Sequence, residues 1–218
     1  MRNQKGFTLV ELAIVLVIIG IILTAVLRGQ DLLVNARAKE LITKVRAWEI
    51  AVANYVDLMK TLPGDPNNTG QIGGNGVATP NPWTDLNNTI SNLPDKQLIL
   101  GQTTYYVFLG NDGNSPPKNI LLVCVSSDCT SIFDPEALKI AAAFSGLIDY
   151  TPDAKGPYDT VTTTSPNYKN YRVYGITGGV TSANITTALA ILRTGGTVAN
   201  FTNWLQNTNI TGMVYLLP

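Results

Sequence analysis

The chain has 218 residues, with 15 Lys and Arg against 15 Asp and Glu, no histidine and two cysteines. Without histidine there is no Ser-His-Asp or Cys-His nucleophilic site and no His-based zinc site, and two cysteines are too few for a four-Cys metal centre. The zero net charge argues against direct nucleic-acid binding, which needs a basic face, so composition lowers the case for catalysis and for that partner alike.

The balance hides an asymmetry. Residues 1–60 hold 8 basic and 5 acidic side chains, whereas residues 61–218 hold 7 and 10. The second part has 39 Asn and Thr among 158 residues, a composition that favours strands and turns. The length suits one domain plus an appendage.

The appendage comes first. After MRNQKG, residues 7–27 form a 21-residue apolar run with one charge, Glu11. That is long enough to cross a bilayer core of about 30 Å as a helix. Arg2 and Lys5 precede it, which keeps the N-terminus cytoplasmic and exports the chain beyond the run. A secretory signal peptide and a plain signal anchor share this pattern. Neither accounts for Glu11, because a carboxylate in lipid costs a few kcal/mol unless it has a partner.

No proline occurs between residues 7 and 62, so the helix is expected to continue to about residue 60. Leu41, Val45, Trp48, Val52, Tyr55 and Met59 recur at helical spacing and form a stripe for packing on a head. Arg37, Lys44, Arg46 and Asp57 are read on the opposite face, and Glu40 precedes Lys44 at the favourable i,i+4 spacing. Leu62-Pro63-Gly64-Asp65 ends the helix, because Pro63 disfavours helical backbone at Leu62 and Gly64 permits a turn.

The head, residues 62–218, begins with a Gly/Asn/Pro-rich loop over 63–82. Strands are expected at 103–109, 119–125, 170–176 and 211–217. Asp134 reads as an N-cap with Pro135 at the first helical position, opening a helix to about residue 148. Residues 149–157 form a turn-rich loop. Residues 186–193 look helical, and residues 198–206 suggest another short helix. Tyr105, Tyr106, Tyr171 and Tyr174 fall in strand-like runs, where core positions are favoured over an adhesive patch. The expected class is α+β: a spine helix on an antiparallel sheet, with further helices.

Cys124 and Cys129 stand in CVSSDC, a poor fit to the CxxC spacing of metal and redox motifs. In an exported head they read as a disulfide clamping a short turn, the alternative being two buried thiols. Asp149, Asp153 and Asp159 cluster in one loop and supply oxygen ligands of the kind calcium takes. Their spacing is not that of an EF-hand, and Asp in Pro/Gly loops is ordinarily turn chemistry. No cofactor is expected, with calcium as the alternative.

Gly6-Phe7-Thr8-Leu9-Val10-Glu11, after a short basic leader, resembles the class III signal of type IV pilins and type II secretion pseudopilins. The resemblance implies cleavage after Gly6 by prepilin peptidase, on the cytoplasmic side, and N-methylation of the new terminal Phe7. The apolar helix then stays on the mature protein. The acid matching Glu11 pairs in that family with the N-terminal amine of a neighbouring subunit and sets register. The implied organisation is a leader over 1–6, a transmembrane and filament-core helix over 7–27, its amphipathic continuation over 28–61 and an exported head over 62–218, the lollipop shape of pilins. LPGD after the helix also looks like many pilin-like proteins. Pilins of retractable pili often carry a proline near the end of the apolar run; this chain has Arg28 there.

The implied function is a structural subunit, major or minor, of a type IV pilus or related filament. It would assemble with its own copies or with other pilin-like subunits through inner-membrane assembly machinery. The alternative within the class is a type II secretion pseudopilin acting in protein export. The alternative outside it is a membrane-anchored periplasmic enzyme or binding domain. The place expected is the bacterial inner membrane, then a pilus or pseudopilus.

Overall fold

The computed structural model describes residues 8–73, 81–111, 118–149, 172–177, 197–198, 204–206 and 209–218. Helix α1, Leu9–Met59, is one unbroken helix of 51 residues, about 76 Å long at 1.5 Å per residue. It passes Gly20 and Gly29 without interruption, and it stops at Lys60, whose φ of 59° is left-handed and whose N–H donates to the Val56 carbonyl. Among the described residues two further α-helices come after it, α2 (Pro82–Thr89) and α3 (Pro135–Asp149). Six described strands make one sheet: β1 (Gln97–Leu100), β2 (Thr103–Asn111), β3 (Asn119–Cys124), β4 (Val173–Thr177), β5 (Thr197–Val198) and β6 (Ile210–Leu216). Their order is β1-β2-β3-β6-β4-β5 and every pairing is antiparallel. The architecture is the expected α+β, a long apolar helix on an antiparallel sheet.

The helix stripe packs as its spacing requires. Leu41, Val45, Trp48, Val52 and Tyr55 are buried, joined by Ala38 and Ala51. They meet alternate residues of the sheet, Tyr105, Val107, Leu109, Leu121, Val123, Met213 and Tyr215, in one core. Trp48 is fully buried, with its ring centroid 4.8 Å from that of Trp83 in an edge-to-face contact. Helix α3 adds Ala137, Ile140, Ala141 and Phe144 to the same core. As expected, Asp134 caps it, accepting from the Ala137 N–H at 2.6 Å.

Several expectations are corrected. Met59 leaves the stripe and is half exposed, because the last turn runs past the core. Arg37, read on the face opposite the stripe, is part-buried beside α3. It pairs with Glu136 of α3 and lies against Gly101, where a Cβ would come within 2.6 Å of its guanidinium. Lys44 meets Asp95 at 3.7 Å rather than Glu40, because the β1 approach brings that carboxylate alongside the helix. Helix α2 and strand β1 are additional elements. Pro82 is not the end of a loop but sits in the first turn of α2, whose N-cap Asn81 accepts from the Trp83 N–H at 2.9 Å. Val198 is in strand β5, opposite Ile176, and the only helical geometry described within 198–206 is a 3-10 turn at Trp204–Gln206. Ladder bonds to β4 override the local helical composition there. The expected helix at 186–193 lies outside the described residues.

Strand limits shift by a few residues. Strand β2 runs on to Asn111, β3 stops at Cys124, and β4 starts at Val173. The extension of β2 has a purpose: Asn111 and Asn119 face each other across the β2–β3 ladder and hold the loop after α1. Asn119 Oδ1 accepts the Ile72 N–H at 2.8 Å, and Asn111 Nδ2 donates to the Ile72 carbonyl at 3.0 Å. Asp65 organises the rest of that loop. Its carboxylate accepts from the Thr69 N–H and hydroxyl and from the Gly70 and Gln71 N–H groups at 2.8 to 3.3 Å. Burial pushes the Asp65 carboxyl up, but these donors outweigh it and hold the group below the usual carboxylate range.

That shift has a sign. A carboxylate whose folded pKa is lowered stabilises the fold above its ordinary pKa of about 3.9, and this contribution is lost as pH falls through the lowered value. Asp65→Asn is expected to cost about 1.5–3 kcal/mol at neutral pH. Thermal melts from pH 7 down to 2 check this: the gap between wild type and variant should narrow below about pH 4. A gap that stays constant across that range would assign Asp65 no electrostatic part.

Cys124 and Cys129 form a disulfide, with Cα atoms 5.2 Å apart. Both are fully buried, in a second cluster on the outer sheet face with Ile120, Leu122, Ile176 and Val214. Within the clamped turn Asp128 accepts from the Ser126 and Thr130 hydroxyls at 2.7 and 2.8 Å. Chain-entropy arguments give so short a loop about 2 kcal/mol. Cys124→Ala with Cys129→Ala should therefore lower the melting temperature by about 4–8 °C. An unchanged melt would remove the bond from the stability account.

Candidate assembly site at the start of the long helix

The head touches only part of α1. Val34 is the first helix residue packed on the core and Ala38 the first fully buried one. The large apolar side chains among residues 9–33, from Leu9 to Leu33, are 46–87% exposed. About 20 residues, some 30 Å of helix, therefore project free of the head. An 18-residue window of this segment has mean hydropathy 3.0, with none of it buried within the fold. Length and apolarity fit a bilayer crossing. A lone apolar helix of this kind must find lipid or other copies of itself.

The one charge within residues 9–27, Glu11, is held by its own helix end. Thr8 is the N-cap of α1 and Glu11 is the third helical residue. The Thr8 N–H and hydroxyl donate to Glu11 Oε2 at 2.8 and 2.9 Å, and the Glu11 N–H donates back to Thr8 Oγ1 at 3.3 Å. This reciprocal capping satisfies backbone donors that the first turn leaves open. It also places the carboxylate at the positive end of the helix dipole. Both Thr8 donors converge on Oε2, and no described residue donates to Oε1. The carboxylate therefore retains an unused oxygen at the helix tip.

Thr8 was not singled out in the sequence, although Thr-x-x-Glu at the start of an apolar run is the signature of a capping box. Gly6 and Phe7 lie outside the described residues. The cap residue Thr8 is the next residue after Phe7, so the site joins the implied cleavage point to the helix cap in sequence.

The other candidate positions separate from this end. Asp149 is spent on the chain itself, its two oxygens accepting the Arg172 and Val173 N–H groups at 2.8 and 2.9 Å. Asp153 and Asp159 lie outside the described residues, and no group of three metal-ligating side chains occurs among the described residues. Tyr105 is a core residue, as expected, and burial pushes its phenol far up. Tyr106 is half-buried on the opposite sheet face. Tyr171 and the Tyr174 side chain lie outside the described set. A polar tie was also missed: Glu49 of α1 accepts from Arg172 and from the Tyr215 hydroxyl, both at 3.1 Å. Its partners are 123 and 166 residues away, beyond any spacing rule. Burial first, and then Glu49, push the Tyr215 phenol up to about 12 against the opposing pull of Arg172.

Residues 1–27 match the family described as the prokaryotic N-terminal methylation motif. This is the prepilin signal shared by type IV pilins and pseudopilins. No curated protein matches the chain. No solved structure matches it either.

Proposed function

We propose that this protein, which carries the prepilin-type signal over residues 1–27, is a structural subunit of a type IV pilus or related filament. The observation that carries the reading is the union of that signal with an unbroken helix whose first 20 or so residues project free of the head, their large apolar side chains exposed. In this reading residues 1–6 are a leader that prepilin peptidase removes after Gly6, and the Phe7 amine is methylated. Residues 7–27 anchor the subunit in the inner membrane with the head exported, then move into a filament core. The Cys124–Cys129 disulfide supports folding in an oxidising compartment.

Assembly needs no catalysis by this chain. The apolar helix is withdrawn from lipid and packed against helices of other subunits, of this protein or of related ones. Glu11 Oε1, unused at the helix tip, accepts the Phe7 amine of a neighbour. Each charge then neutralises the other in a medium where neither is well solvated, and the pairing selects one axial register. A pseudopilin of a secretion system uses the same steps, with export of another protein as the outcome.

Intact-protein mass with N-terminal peptide mapping tests this. The expected mature chain starts at Phe7 and is heavier by one methyl group. A chain that keeps Met1, or one cut near Ala25, overturns the reading in favour of a signal anchor or a secreted head.

A further inference from the structure

The outer face of the sheet is closed at its centre and open at one corner. Ile120, Leu122, Val214 and Leu216 are buried there. At the β1–β2 corner an open groove of about 290 Å³ runs between the start of α2, the start of β1 and the disulfide-clamped turn. Its apolar walls are Trp83, Tyr106 and Phe108, and its polar rim is Asn81, Gln97 and Ser127. Gln97 and Tyr106 stand directly opposite each other in the β1–β2 ladder.

The rim is chemically unspent. Asn81 uses its side-chain oxygen as the α2 cap, which leaves its NH₂ group free to donate. Among the described residues, Gln97, the Ser127 hydroxyl and the Tyr106 hydroxyl have no side-chain partner. The charged neighbours, in contrast, are engaged. Lys96 sits 4.5 Å from the centre of the Trp83 ring. Asp95 faces Lys44, and Asp128 holds Ser126 and Thr130.

We infer that this groove binds a neutral saccharide. A sugar ring has an apolar C–H face that suits aromatic walls, and hydroxyls that both donate and accept. Amide and hydroxyl side chains, which also do both, are the matching rim. A purely hydrocarbon ligand, such as an acyl chain, would bury the rim amides without partners, which is costly. An anionic ligand would find one lysine, already over a ring, and no arginine fork. The volume lies at the small end of ligand sites, so one or two sugar units are accommodated. The rings supply contact area, and the rim selects hydroxyl geometry. This goes beyond the assembly role and stands without it.

The test uses the full chain in a zwitterionic detergent, since sugar-headed detergents would compete for the groove. Neutral di- and trisaccharides built from glucose, galactose and N-acetylhexosamines are titrated by ligand-observed NMR, with their sulfated or carboxylated counterparts alongside. Expected is saturable binding of a neutral member, weakened at least about tenfold by Tyr106→Ala and within about threefold of wild type in Tyr106→Phe. The unchanged melting temperature of Tyr106→Phe controls for folding. Should Tyr106→Ala fail to fold, Gln97→Ala with Ser127→Ala, both at exposed positions, serves in its place. The inference is overturned if no neutral saccharide binds, if binding ignores these substitutions, or if the anionic counterparts bind better. It is also overturned if Tyr106→Ala abolishes self-association instead, which would make the groove a contact between copies. None of these outcomes alters the mass of the mature N-terminus, so the assembly reading is tested separately.

Discussion

Glu11→Ala is expected to leave the chain cut after Gly6 and methylated, yet unable to build filaments. The proposed processing acts on the leader and on Phe7, upstream of the helix cap. The proposed assembly places the helix tips of several subunits in one apolar core. There a methylated amine without an acidic partner is a stranded charge. Breaking one partner out of a buried pair costs about 3–5 kcal/mol, which is about 10²–10⁴ in each subunit contact. Sheared-filament yield and electron microscopy, read beside intact mass, measure it.

Two companion variants separate charge pairing from capping. Glu11→Gln keeps an acceptor for the Thr8 N–H and hydroxyl but carries no charge, so it should fail nearly as fully as the alanine variant. Thr8→Val keeps the carboxylate and loses the cap hydroxyl, with an expected cost of about 1 kcal/mol in the first turn. It should assemble in reduced yield. Normal filaments from Glu11→Ala would dismiss the pairing role outright.

Trp48→Ala should produce the largest loss of stability in the head. Trp48 is fully buried at the point where α1, α2 and the sheet meet, edge-on to Trp83. Truncation removes the transfer free energy of an indole and leaves a cavity that the surrounding rigid elements cannot close, a cost of about 3–5 kcal/mol. In a chain of this size that is a fall of about 6–20 °C in melting temperature. Its indole N–H has no partner among the described residues, so Trp48→Phe should recover most of the loss. Near-ultraviolet circular dichroism of the full chain in detergent tracks both. A Trp48→Ala melt within about 2 °C of wild type would place the core elsewhere.

The spine was legible because its information is local. A 21-residue apolar run, the absence of proline and a 3.6-residue stripe each act within a few turns. Together they define α1 to within about a residue at its C-terminal end. The cap of α3 was legible for the same reason, since Asp134 and Pro135 act on adjacent backbone. Helix α2 was not. Its sequence, PWTDLNNT, is only eight residues long and mostly polar, too short to display a helical period. It is held by the Asn81 cap, by Trp83 packed on Trp48 and by Asp85 accepting the Gly64 N–H at 2.8 Å. Strand β1 is four residues long and owes its existence to pairing with β2.

The sugar-sized groove was out of reach for a related reason. Tyr106 could be seen in a strand-like run, but its neighbours Asn81, Gln97 and Ser127 come from three different elements. Only the fold makes them one surface. Arg37 shows the converse. Helical spacing read it on the face opposite the stripe, yet the β1–β2 turn at Gly101 and the Glu136 carboxylate lie against it.

By itself, the sequence determined the membrane-length helix, its continuation toward residue 60, the prepilin-type start and the separation of a polar, mildly acidic head. These depend on composition and near-neighbour geometry, which survive without knowledge of the rest of the chain. The tertiary structure decided the sheet order, in which the last strand, β6, lies between β3 and β4. It also chose the disulfide over free thiols, the partners of Arg37 and Glu49, and the open corner of the outer face. Each of those is a long-range pairing, selected by whichever surfaces the packed core leaves in contact, and no local period in the chain encodes it.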